Sequence, residues 1–183
     1  IANLISNISG INKNFLNFAY CPERAIPGNT LNELINNDRV IGGLNKKSSS
    51  LSKQFYRSFS KGNILETNSQ TAELIKLTEN AYRDVNIAFA NEMSIICDEL
   101  DVDVFELIKL ANRHPRVDIL KPGCGVGGHC ISIDPWFIAS HLPCQTLLIQ
   151  TSRNVNNKKT EWSISKILKS IKDFEKDNCN FPK

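Results

Sequence analysis

From Ser69 to Leu100 the chain holds neither glycine nor proline, and its apolar residues recur at helical spacing: Leu74, Leu77, Ala81, Val85, Ala88, Phe89, Met93 and Ile96. Residues three and four apart share one face of a helix, and nothing in the run breaks it, so a single long helix is expected. At about 1.5 Å per residue it makes a rod of roughly 45–50 Å. A rod of that length packs against a partner helix or a second subunit.

The texture before the rod is different. Residues 14 to 21 read as a short strand, followed by a turn-rich segment from Pro22 to Asn29 with two prolines and a glycine. Arg39 to Gly43 is a short apolar run ended by glycines, which predicts a buried strand. Residues 46 to 60 read as a helix with Leu51, Phe55 and Phe59 on one face, and residues 63 to 67 as a third strand. Strand, helix and strand in that order predict an α/β layer. After the rod, a shorter helix from Asp103 to Asn112 stops before Pro115, and a glycine-rich loop spans Gly123 to Gly128. Asp134 then serves as the N-cap of another helix, with Pro135 at its first position. A last helix runs from about 145 to 172, interrupted around Asn154 to Asn157, and the polar tail after Asp173 is expected to fray. The fold class is therefore an α/β remnant followed by a mainly α region.

Composition narrows the function classes. The 183 residues are 41% hydrophobic and 22% charged, with a net charge of +3 and both signs interspersed. That pattern gives no case for nucleic acid or a membrane surface as partner. The chain carries no secretory leader and no long uncharged apolar run. Six cysteines without a dense framework then read as reduced thiols in a cytoplasmic protein. The chain opens at Ile1 without methionine, which is the expectation for a piece of a longer protein.

The strongest local feature is the segment from Lys121 to Pro135. Four glycines in the six residues 123 to 128 permit close backbone approaches, and the loop ends on Cys130 with Asp134 four residues later. A thiol nucleophile beside a carboxylate that handles water or a proton fits that order. Gly123 to Gly128 also matches the dinucleotide glycine fingerprint formally, but the required preceding strand and immediate helix are missing, so the match is rejected. Zinc is rejected as well: adjacent His129 and Cys130 are poor ligand geometry, Cys124 adds no second pair, and no metal is expected. Spacing alone leaves Cys130 open between nucleophile and small buried hydrophobe. A Cys–His hydrolase fares poorly, because His129 adjoins Cys130 and only His114 and His141 remain as partners.

Two further groups are candidates. Glu73, Lys76, Asn80 and Arg83 fall on one stripe of the long helix, where they form either a solvated face or an oxyanion-stabilising pair, Lys76 and Asn80. Cys21-Pro22-Glu23-Arg24 follows a strand directly, the place where α/β folds put catalytic groups, although a turn with a capping acid is the reading these residues favour on their own.

Together these segments resemble the UDP-glucose/GDP-mannose dehydrogenase family. The resemblance rests on Gly123 to Pro135, Cys21 to Asn29, Asn37 to Gly43, Ala72 to Glu92 and Ala111 to Val117, and covers roughly residues 14 to 157. The forms Arg83-Asp84-Val85-Asn86 and Asn112-Arg113-His114-Pro115-Arg116 look most like the branch that acts on UDP-N-acetyl-D-mannosamine. Cys124 departs from the pattern, since relatives are expected to carry proline there, and a Cys124–Cys130 disulfide becomes conceivable. Cys179, Asn180 and Phe181 fit no family pattern.

The resemblance implies an NAD-dependent oxidation of a UDP-sugar C6 hydroxyl to the carboxylate, by two hydride transfers. Cys130 forms the thiohemiacetal and thioester, Lys76 and Asn80 stabilise the oxyanion, and Asp134 positions lysine and water. Glu23 assists hydrolysis. Arg83, Arg113, Arg116, Gly127 and Gly128 contact the substrate, with Arg113 or Arg116 reaching it across a dimer interface. It also implies three parts: residues 1–68 as the end of an NAD-binding Rossmann domain, 69–152 as a central helical dimerisation domain with the cysteine loop, and 153–183 as the start of a nucleotide-sugar-binding domain. The main NAD site and most of the uridine site are expected outside the chain, so the chain alone is expected to be inactive. UDP-N-acetylglucosamine or UDP-glucose as substrate, or a non-catalytic dimerising remnant, are the alternatives.

Overall fold

The computed structural model of the chain describes residues 1–178. They form two compact units, Ile1–Thr78 and the described residues from Glu79 onward. The order of elements is a small sheet with its helices, then helices alone, as expected from the sequence.

The first unit opens with helix α1 (Ala2–Ser9) and a single 3₁₀ turn, Lys13–Phe15, ahead of strand β1 (Ala19–Tyr20). The strand expected over residues 14 to 21 thus shrinks to two residues. The reason is local: Ser48 Oγ accepts from Phe18 N–H at 3.1 Å, and the Asn45 amide donates to Leu16 C=O at 3.2 Å. Side chains hold this apolar run where ladder bonds were expected. Helix α2 (Thr30–Asn36) has no apolar period to announce it and depends on Glu33, which accepts from Ile26 N–H and from the Asn29 amide.

Strand β2 (Arg39–Gly43) is buried along its whole length, as its apolar run predicts. Helix α3 (Lys46–Arg57) crosses from it to β3 (Ile64–Asn68). β3 pairs with β2 in parallel, Arg39 opposite Ile64 through Gly43 opposite Asn68, and β1 adds to the other edge antiparallel. Parallel neighbours need such a crossover, and α3 supplies it. The buried side of α3 is Ser48 and Ser49, while Leu51, Phe55 and Phe59 are exposed, so the aromatic face stands away from this unit's core. Val40, Ile41 and Ile64 are the apolar centre.

Helix α4 (Ser69–Glu99) is the long rod and crosses the division between the units. The second unit continues with α5 (Val104–Ala111), α6 (Asp134–His141) and α7 (Leu147–Asn178). On α4 the buried positions include Asn80, Ala81, Asp84, Ala88, Asn91, Ser94 and Cys97, whereas Leu74, Phe89 and Ile96 are exposed. The interior face is therefore small and polar, and much of the leucine-type face is on the surface. Asp84 bonds Arg153, Asn91 bonds Asn156 and Asp98 bonds Lys166, so α4 and α7 run alongside each other in the same sense. α7 shows no interruption at Asn154 to Asn157 and continues through Asp173 to Asn178. The asparagines that read as a break are held by side-chain bonds: Asn156 donates to Asp84 and Asn157 accepts from Arg153. The features noted at Cys179, Asn180 and Phe181 lie outside the described residues. No helix among those residues is long and apolar enough to cross a membrane.

Candidate active site

The cysteine loop joins α5 to α6, and the second unit fixes it at several points. Asn112, just past α5, closes the segment that follows: its amide donates to Ile119 C=O at 3.0 Å and accepts from Ile119 N–H at 2.8 Å. Arg113 and Arg116 sit in the exposed turn within that clamp, where the His114 ring accepts from Arg116 N–H at 3.3 Å. The glycine segment begins with Gly123 N–H donating to Asn91 Oδ1 at 2.9 Å. Gly125 then lies so close to α7 that a Cβ there would stand 2.3 Å from Thr160 Oγ1. At Gly128 the requirement is conformational: its φ of 89° lies in the left-handed region, and a Cβ would meet no atom within 4 Å. Gly127 is exposed with open space around it.

Cys130 follows, exposed and free. Its carbonyl accepts from Ile133 N–H at 3.0 Å and from Asp134 N–H at 2.8 Å, a turn that leads directly into α6. The helix cap falls on Ile133, with no side-chain bond, which corrects the expectation that Asp134 caps. The Asp134 carboxylate is engaged elsewhere: Asn80 Nδ2 donates to its Oδ2 at 2.6 Å. Three residues singled out from the sequence, Asn80, Cys130 and Asp134, are thus tied together in one unit.

The other candidates fall differently. Arg83 is exposed on α4, one residue away from the buried Asp84. Lys76 is half-buried and Glu23 exposed, and both belong to the first unit. Glu23 Oε1 accepts from Arg24 N–H at 2.7 Å and Ala25 N–H at 2.8 Å, while its other oxygen meets Arg39 Nη1 at 3.4 Å. That is the turn-capping arrangement. Burial pushes the Glu23 carboxyl up, but these two amides and Arg39 outweigh it and hold it below the ordinary value. Arg39, missed in the sequence, is buried under Tyr56, with its guanidinium 4.6 Å from the ring centre.

Cys124 has its own surroundings. With Cys97, Lys159 and Trp162 it lines a cleft of about 440 Å³ to which Cys130 does not contribute. Lys159 is buried with its ammonium 3.5 Å from the Trp162 ring centre, and burial holds its basicity below that of an ordinary lysine. Cys21, Cys97, Cys124, Cys130 and Cys144 are all free, so Cys124 and Cys130 are not bridged. Among the described residues no group of three or more His, Cys, Asp or Glu is placed to hold a metal ion.

The glycine segment 123 to 128 is neither preceded by a strand nor followed at once by a helix, in agreement with its rejection as a dinucleotide fingerprint. In the first unit, the start of α3 is already capped, with Asn45 Oδ1 accepting from Ser48 N–H at 2.8 Å. That cap takes up one of the amide donors at the start of the helix.

Known proteins are similar to this chain. The chain is 55% identical over 159 residues to UDP-N-acetyl-D-mannosamine dehydrogenase of Campylobacter jejuni, covering 87% of this chain and 39% of that protein. It is 53% identical over 157 residues to NDP-N-acetyl-D-galactosaminuronic acid dehydrogenase of Ralstonia nicotianae, covering 86% of this chain and 37% of that protein. The solved structure of the UDP-D-ManNAc dehydrogenase of Pyrococcus horikoshii superposes with a TM-score of 0.88 at 41% identity, covering 95% of this chain and 42% of that one. The chain therefore spans about two fifths of the length of such relatives. Residues 1–60 match the NAD binding domain and residues 70–158 the central domain of one and the same family. The chain belongs to the UDP-glucose/GDP-mannose dehydrogenase family.

Proposed function

We propose that the protein carrying these residues oxidises the C6 hydroxyl of UDP-N-acetyl-D-mannosamine to a carboxylate, with Cys130 as covalent nucleophile. The observation that carries this is the 2.6 Å bond from Asn80 to Asp134, which ties an amide and a carboxylate to the turn that presents an exposed thiol. The relatives named for such sugars support the substrate class.

The chemistry that bound NAD⁺ would supply is hydride acceptance in each of two oxidations. Between them the Cys130 thiolate adds to the C6 aldehyde, forming a C–S bond and moving the carbonyl electron pair onto oxygen. Asn80 gives one amide N–H to Asp134 and keeps the second for that oxyanion. After the second oxidation the sugar is a thioester on Cys130. Water attacks its carbonyl carbon, the C–S bond breaks, the thiolate departs, and a carboxylate and two protons are released. Asp134 orients that water. Roles for Lys76 at the oxyanion and Glu23 at the hydrolytic step rest on the family resemblance alone. Arg83, the exposed pair Arg113 and Arg116, and the open backbone at Gly127 and Gly128 are the proposed sugar contacts. Tyr82, Phe89 and Ile96, exposed at seven-residue spacing on α4, support a homodimer through that helix.

The test is the stoichiometry of NADH with UDP-N-acetyl-D-mannosamine, in the full polypeptide that carries these residues. Two NADH per sugar and a carboxylate product are expected, and Cys130→Ala should abolish formation of the carboxylate. A Cys130→Ala protein that still delivers the carboxylate at the unaltered rate would remove the cysteine from the mechanism. Turnover restricted to a UDP-N-acetyl-galacto sugar would move the substrate toward that of the Ralstonia relative. A folded protein with no turnover on any of these sugars would leave a dimerising scaffold.

A further inference from the structure

The buried polar side chains between α4 and α7 form one continuous chain that ends on the cysteine loop. Arg153 Nη1 donates to Asp84 Oδ1 at 2.6 Å, and Asn156 Nδ2 donates to the same oxygen at 2.8 Å and to Asp84 C=O at 3.1 Å. Asn156 Oδ1 accepts from Asn91 Nδ2 at 2.8 Å, and Asn91 Oδ1 accepts from Gly123 N–H at 2.9 Å. Asp84, Asn91, Arg153 and Asn156 are all nearly or fully buried.

Two physical points set this chain apart from ordinary helix packing. An apolar seam between two helices would do the same packing without the desolvation that a buried ion pair incurs, so the pair is weak evidence for stability and better evidence for a defined arrangement. Each amide is also used at both ends. Asn91 fixed by Asn156 can present only its oxygen to Gly123, and turning the amide over would break both bonds. The direction of every dipole is therefore set from Arg153 outward.

We infer that Asn91, held by Asn156, Asp84 and Arg153, is a positioning residue that fixes the near end of the Cys130 loop through the Gly123 amide. Asn80 holds the far end through Asp134, and both anchors stand on α4, eleven residues or about 16 Å apart along its axis. The same rigid rod thus clamps the loop on either side of the thiol. Gly125 against Thr160 lets the loop lie close enough to α7 for the near clamp to close. The value of this for catalysis rests on the proposed role of Cys130, but the clamp itself does not.

Amide hydrogen exchange on the chain, read residue by residue, tests it. In the unaltered protein the Gly123 amide should be protected, and exchange there at the rate of an unstructured peptide would overturn the inference outright. Asn91→Ala should speed exchange at Gly123 and across residues 123–130 by about tenfold, the scale of one lost hydrogen bond. Asn156→Leu, which keeps Asn91 but removes the group that orients its amide, should also speed exchange at Gly123, by a smaller factor. Protection lost evenly along α4 and α7, or Gly123 protected in Asn156→Leu as in the unaltered protein, would mean a merely structural role and overturn it. Alkylation of Cys130, read against Cys144 in the same sample, should change in rate with Asn91→Ala and not with a surface variant such as Lys158→Ala. A clamp seen by exchange without the two-NADH stoichiometry would separate this inference from the catalytic reading.

Discussion

The two units solve the same problem with different means. In the first, the backbone does the specifying: five consecutive pairs of β2 and β3 set the register, and Val40, Ile41 and Ile64 are buried beneath them. In the second, no strand contributes among the described residues, and the register of α4 on α7 is read from side chains, Asp84 with Arg153, Asn91 with Asn156 and Asp98 with Lys166. A ladder tolerates changes of side chain that conserve volume, because the main chain repeats. A polar seam tolerates few, because each partner is particular and an unpaired buried group is costly. The unit that presents the exposed Cys130 thiol is the one built the second way.

That contrast can be broken most forcefully at Arg153. Arg153→Met strands the Asp84 carboxylate in the interior, and we expect a loss of about 3–5 kcal/mol, measured by urea unfolding. Adding Asp84→Leu should recover most of the loss, because the uncompensated charge is then gone; a double variant as unstable as the single one would show that the seam is held by shape and not by charge. Ile41→Ala in the first unit should cost about 2–4 kcal/mol by emptying a fully buried site. Its loss should appear in exchange of β2 and β3 amides and leave the loop at 123–130 unchanged; a matching loss in the loop would erase the distinction between the units.

The smallest effect sharpens the comparison through its sign. Glu23 is held below its ordinary value of 4.5, so its contribution to stability is present above that pH and fades as pH falls through the folded-state value. At a half-exposed site screened by solvent it amounts to a few tenths of a kcal/mol at most, on the order of a surface pair. Asp84 is the reverse. Burial raises it above 3.8 by more than Arg153 and Asn156 lower it, so the folded state holds the proton more tightly, and stability falls as pH rises from 3.8 through the folded-state value. Thermal melts across the acid range should therefore change slope in opposite directions for Glu23→Gln and Asp84→Asn. Slopes that change in the same direction would contradict the difference in environment.

Most of the regular elements were legible because they carry a period or a punctuation mark. The rod over α4 shows as an unbroken run, β2 as Val40 and Ile41 ended by glycines, and α6 as Asp134-Pro135. What escaped depends on partners distant in sequence. Phe18 looks like a strand residue until Ser48 takes its amide, and α2 has only the reach of Glu33 to organise it. The asparagines at 154 to 157 have poor helix propensity, which is a statement about exposed residues; Asn156, buried with every polar atom engaged, is exempt from it. At the site, Asn80, Cys130 and Asp134 could be singled out by motif, whereas Asp84, Asn91 and Arg153 could not. Polar residues at 80, 84 and 91 look like a wetted face, and only burial distinguishes a seam from a surface.

The contact between Gly125 and Thr160 has a bearing on how this segment can change over generations. The threonine hydroxyl fills the volume that any side chain at 125 would need. A mutation at 125 alone then needs the Thr160 side chain to give way, and the φ of 159° strains a side chain there even where 160 has shrunk. Glycine at 125 should therefore persist while 160 varies among small residues, and the loop bearing the thiol keeps its course beside α7.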